Sequence, residues 1–153
     1  MIDEGTEGIL KIAEKHVAAL QSSMNDIATN YPFSVDFIIN QTTDEFRILE
    51  TMTARFGKLQ DLLGTKIIDL YLQSQAQPIA GLSMLDKIHK LEKFYIIDDE
   101  DLWAELRRTR NHIAHEYPDK PELAAKYLNT AYALAPKLIE IYRKLAAEIR
   151  REG

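Results

Sequence analysis

Apolar residues in this chain recur every three or four positions, over stretches too long for anything except helices. The longest opens at Thr42-Thr43-Asp44-Glu45, the Thr-x-x-Glu spacing of a capping box. Behind it Phe46, Leu49, Met52, Phe56, Leu59, Leu63, Ile67 and Leu70 continue one stripe, for about seven turns at roughly 3.6 residues each. Gly57 and Gly64 interrupt that stripe, each weakening the helix by roughly 1 kcal/mol relative to alanine. Either a neighbouring helix approaches closely there or the rod bends.

The other segments obey the same period. Ile9, Ile12, Ala13, Val17, Leu20, Met24 and Ile27 predict a first amphipathic helix that stops before Tyr31-Pro32. Ser34 to Asn40 is short and apolar, a helical turn or a packed connector. Gln77-Pro78 ends the second helix, and Ser83 caps a third with Leu82, Leu85, Ile88, Leu91 and Tyr95 on its inner face. Asp98-Asp99-Glu100-Asp101 gathers carboxylates at the start of a fourth, where the helix dipole favours them. That helix carries Leu102, Trp103, Leu106, Thr109 and Ile113 and is predicted to end about Tyr117, which precedes Pro118 and is biased away from α geometry. Asp119 and Pro121 mark the N-cap region and first turn of a fifth. Its stripe runs from Ala124, Tyr127, Leu128, Ala131 and Leu134 to Leu138, Ile141, Tyr142, Leu145 and Ile149, with Pro136 predicted to kink it. Glu148 to Glu152 has the composition of a solvated, fraying end. The expected fold is all-α, an up-and-down bundle of four to five helices in a single domain over residues 1–153.

Composition narrows the functions this bundle can carry. The formal net charge is −5, so any contact with nucleic acid has to be local, made by a basic patch on an acidic body. Arg107, Arg108 and Arg110 form such a patch. The absence of cysteine removes disulfides, zinc ribbons and thiol catalysis. Met1-Ile2-Asp3-Glu4-Gly5 is acidic and no apolar run reaches membrane-spanning length, so a cytoplasmic protein without a membrane partner is expected. His16 and His89 each lack a second ligand at metal spacing and are expected to be structural. Trp103 is assigned to the core, and Tyr127, Tyr132 and Tyr142 to core or dimer contacts.

Chemistry concentrates in Arg110-Asn111-His112-Ile113-Ala114-His115-Glu116-Tyr117. On a helix Asn111 and His115 share a face with Arg108, whereas Arg110 and His115 lie about 140° apart. The site therefore needs either a distorted helix end or residues from two copies across a two-fold axis. Arginine offers a planar fork matched to phosphate oxygens. Histidine can take the 2′-hydroxyl proton of RNA or protonate the leaving oxygen, and asparagine can orient the imidazole or bond a ribose or base. A 2′,3′-cyclic phosphate would follow. The plainer account is that cations near a helix C-terminus offset its dipole and cap its carbonyls.

Arg110-Asn111-x-x-x-His115-x-Tyr117 resembles the signature of the HEPN superfamily, in which an arginine and a polar residue precede a histidine by four to six positions. Tyr117, two residues after the histidine, resembles the HepT branch, the toxin half of HepT–MntA pairs. Arg55-Phe56-Gly57-Lys58-Leu59-Gln60 is similar to the Arg-x-x-x-Leu-Gln run of that branch. The resemblance implies a metal-independent endoribonuclease toxin with no cofactor of its own, a homodimer with Arg110 and His115 of both copies in one cleft. Asn111 would assist them, and Arg107, Arg108 and His112 would help hold the RNA; His112 could equally cap an adjacent helix. The resemblance further implies a minimal nucleotidyltransferase partner that uses ATP to add AMP to Tyr117, blocking substrate phosphate by charge and bulk. It also implies an acidic residue from another helix, for which Glu50, Asp61 and Asp69 all qualify. The alternative is a non-catalytic helical subunit that presents a nucleotide or substrate to such a nucleotidyltransferase.

Overall fold

Asp3 opens α1 (Glu4–Ile27) by accepting the Thr6 amide on its carboxylate at 2.6 Å, satisfying one of the donors a helix start leaves free. The computed structural model describes residues 2–152; Met1, the first residue of the acidic N-terminal run, and Gly153 lie outside the described residues. Leu10, Ala13, Val17, Leu20 and Ile27 are buried, while Ile12, expected in the same stripe, is 51% exposed. The short apolar segment that follows is helical: in α2 (Val35–Asn40) the Phe37 amide donates to the Ser34 hydroxyl at 3.1 Å.

The expected capping box opens α3 (Thr43–Leu62). The Glu45 amide donates to Thr42 Oγ1 at 3.1 Å and the Thr42 amide to the Glu45 carboxylate at 2.8 Å. The stripe then passes through a π-helical turn, Leu63–Ile67, into α4 (Ile68–Ser74). The two glycines explain each other. A Cβ at Gly57 would stand 3.8 Å from Arg110 Cγ, and one at Gly64 would stand 3.5 Å from the Trp103 ring. Both face α6 (Glu100–Ile113), and since 57 meets 110 while 64 meets 103, the two helices run antiparallel. Gly64 also lies inside the π turn, and a Cβ there would meet the Trp103 ring at ordinary contact distance.

Helix α4 and α5 (Met84–Lys93) end alike. Ala76 and Tyr95 take left-handed backbone angles, φ 55° and 60°, and the next amides, Gln77 and Ile96, reach back to the carbonyls of Leu72 and Leu91 at 2.9 Å. This is the Schellman closure, usually built on glycine. It corrects one expected core position, since Tyr95 lies past the end of α5 and is 85% exposed; Leu85, on the first turn and also expected inside, is 51% exposed. Ile96 and Ile97 fill the core instead.

Asp99 caps α6 by accepting the Leu102 amide at 2.9 Å. The helix ends at Ile113, not near Tyr117, because the His112 carbonyl is taken by the His115 amide at 3.3 Å and by the Tyr117 hydroxyl at 3.0 Å. Pro121 begins α7 (Pro121–Glu152), the Lys120 carbonyl accepting the Leu123 and Ala124 amides, so Asp119 lies in the preceding turn. The helix continues through Pro136. Its end is anchored rather than solvated: Ile149 is buried, and Arg150 donates to Glu7 and Glu14 of α1, both at 2.7 Å.

Among the described residues the result is an all-α bundle of six helices, with α3, the π turn and α4 forming one rod. α1 packs along α3, α6 contacts both α3 and α7, and α7 also receives α4 and α2. Trp103, Leu106, Phe56 and Leu63 are buried in the shared core. Deep between α1 and α7 the Tyr142 hydroxyl lies 2.7 Å from the Glu14 carboxylate and 3.0 Å from the Leu10 carbonyl. Burial and that carboxylate push the Tyr142 phenol well above its ordinary pKa. Among the described residues, no helix is long and apolar enough to cross a membrane.

Candidate active site

The last turn of α6 and the loop behind it form one wall of an open groove with a cavity volume of about 890 Å³; α2, α3 and the start of α7 supply the rest. Arg110, His115 and Tyr117 all line it. Because α6 stops at Ile113, His115 sits on irregular backbone and the 140° separation expected on a straight helix does not arise. Of the two ways to unite arginine and histidine, a broken helix end is the one present within a single chain.

Asp61 sets the orientation of Arg110. Nε donates to Oδ1 at 2.9 Å and Nη2 to Oδ2 at 2.8 Å, a two-pronged pairing along one edge of the guanidinium. The Nη1 end has no protein partner among the described residues, so a second fork remains for an anion. The Arg110 hydrogen bonds hold the Asp61 carboxyl below the ordinary carboxylate range despite partial burial, and Asp61 raises Arg110 in turn. Of the acidic candidates, Asp61 is the one paired with Arg110. Glu50 lines the groove farther along α3, while Asp69 is engaged elsewhere by Lys87 at 2.8 Å.

The other motif residues divide between groove and scaffold. Asn111 is exposed, and neither it nor Arg107, Arg108 or His112 lines the groove. The His112 ring stacks on Tyr127 of α7, centroids 4.0 Å apart and planes 22° from parallel. Tyr117 is half-buried, its ring 5.2 Å from the same Tyr127. Desolvation, and then Tyr127, push the Tyr117 phenol above its ordinary pKa. Outside the motif, His16 Nδ1 lies 3.2 Å from Arg55 Nη1, and His89 Nε2 lies 3.3 Å from the Glu100 carboxylate. Burial, then the Arg55 charge, lower the His16 pKa.

Protein-family models, curated proteins and solved structures give no match to this chain. What the groove can do follows from its own side chains.

Several of those side chains had no function in the sequence. Lys58 is exposed on α3 and lines the groove. Gly57 beside it faces the Arg110 stem, 3.8 Å from where a Cβ would stand. The Arg55–Gln60 run is thus divided by helix geometry: Arg55 faces His16, Lys58 the groove, and Gln60 is buried. A seven-residue glycine spacing with an aspartate between was the available signal, since it marks the seam where α3 meets α6. Phe46 heads the stripe but is 47% exposed on the groove, and Ile39 is 62% exposed beside it.

Proposed function

We propose that this chain is a HEPN-type, HepT-like endoribonuclease whose chemistry is carried by Arg110 and His115. The observation that carries the reading is that these two residues, incompatible on one straight helix, line a single groove with Tyr117. In the proposed reaction the scissile phosphate docks on the Nη1 end of Arg110, with Lys58 as a second cation on the α3 wall. His115 removes the proton of the ribose 2′-hydroxyl, whose oxygen attacks phosphorus. The P–O5′ bond breaks, leaving a 2′,3′-cyclic phosphate and a 5′-hydroxyl that takes its proton from an imidazolium or water. A second copy of the chain supplies a second Arg110 and His115 across the cleft. A small nucleotidyltransferase restrains the enzyme by transferring AMP from ATP to the Tyr117 hydroxyl, releasing pyrophosphate. The added phosphate competes with RNA for Arg110.

The test is cleavage of an end-labelled single-stranded RNA. Arg110→Ala and His115→Ala are each expected to lower the rate by about 10²–10⁴-fold, with cyclic phosphate on the wild-type product. Undiminished cleavage by the double variant overturns the reading.

One observation favours a second reading, a non-catalytic subunit presenting a nucleotide to the nucleotidyltransferase: Arg110 is already neutralised by Asp61. Intact mass after co-expression with that enzyme separates the two. AMP on Tyr117 belongs to the first reading, and unmodified, inactive protein to the second.

A further inference from the structure

Tyr127 belongs to α7, outside the motif, yet the motif loop is fastened to it. Its ring stacks face to face on His112 at 4.0 Å and meets the Tyr117 ring at 5.2 Å. His112 is the penultimate residue of α6, and Tyr117 closes the loop that carries His115. The His112 carbonyl binds that loop twice, through the His115 amide and the Tyr117 hydroxyl. One aromatic ring thus touches both ends of a short irregular segment whose middle bears the exposed imidazole. The Tyr127 hydroxyl makes no hydrogen bond among the described residues, so the flat ring does the holding.

We propose that Tyr127 is a positioning residue: its ring, stacked on His112 and tilted against Tyr117, sets where His115 stands relative to Arg110. Anything that draws Tyr117 off the Tyr127 ring, including a group added to its hydroxyl, then also releases His115. The functional consequence rests on the ribonuclease reading, but the order of the loop does not.

The experiment compares Tyr127→Phe, which keeps the ring, with Tyr127→Leu, which keeps apolar bulk without a stacking face. Two quantities are read: hydrogen exchange of the His115 amide in the intact protein, and kcat and KM for a short RNA. In Tyr127→Leu the His115 amide is expected to exchange at least ~10-fold faster, with kcat falling ~10-fold or more and KM within about 2-fold. Tyr127→Phe restores both. A Leu variant with wild-type exchange at His115 overturns the proposal, as does a Phe variant as impaired as Leu. An equal effect on exchange throughout α7 marks general destabilisation and overturns it too. If the wild type cleaves no RNA while exchange separates Leu from Phe, the ribonuclease reading fails and the positioning of His115 by Tyr127 stands.

Discussion

Arg110 gives one edge of its guanidinium to Asp61, which fixes its orientation, and the other edge has no protein partner among the described residues. The pair is a third or so exposed, so solvent screening limits its worth to under about 1 kcal/mol. Its pH dependence has a definite sign. The folded pKa of Asp61 is depressed, so the stabilisation is present above the ordinary carboxylate value of about 4 and fades as pH falls through the lower folded value. Asp61→Asn is therefore expected to lower the urea midpoint at pH 7 more than at pH 3. Equal losses at both pH values would show that the carboxylate charge is irrelevant. Arg110, His115 and Tyr117 were legible in the sequence because rare polar types cluster there. The partner of Arg110 was not, because Glu50, Asp61 and Asp69 differ only in helical phase. That phase is fixed by the approach of α6 to Gly57 and Gly64.

Element boundaries show where sequence patterns stop being informative. The Thr42–Glu45 box and the Ser83 cap were readable because a side chain marks each start, and the Asp98–Asp101 carboxylates marked the start that Asp99 caps. Helix ends closed by backbone bonds carry no such mark when glycine is missing, and Tyr95 was misplaced for that reason. A non-glycine residue in the left-handed region costs roughly 1–2 kcal/mol. Ala76→Gly and Tyr95→Gly are thus expected to stabilise the fold by about 1 kcal/mol each, seen as higher thermal midpoints. A lower midpoint for Tyr95→Gly would mean that its 85% exposed ring contributes something the chain retains at the cost of strain.

At the scale of the molecule, an acidic body carries a groove of mixed charge, Arg110 and Lys58 against Asp61, Glu50 and Glu116, with an apolar rim at Ile39 and Phe46. That rim is where the proposed two-fold partner would bury surface. Ile39→Glu with Phe46→Glu is expected to convert a dimer to a monomer in sedimentation velocity while the helical circular-dichroism signal stays intact. A wild type that sediments as a monomer at tens of micromolar would remove the dimer from the proposal. The bundle itself was readable because period alone dictates it. The union of its two ends, through Arg150 with Glu7 and Glu14, was not, since charges near a terminus look solvated until the fold brings them together.

The early stop of α6 has a consequence for how such a site can vary. On a continuous helix, adding one residue between arginine and histidine would swing the imidazole through about 100°. Here the added residue would fall in a leash that begins after Ile113 and is fastened at Tyr117. A change of spacing would therefore be taken up by re-forming the bonds that the loop makes to the His112 carbonyl, not by rotation about a helix axis.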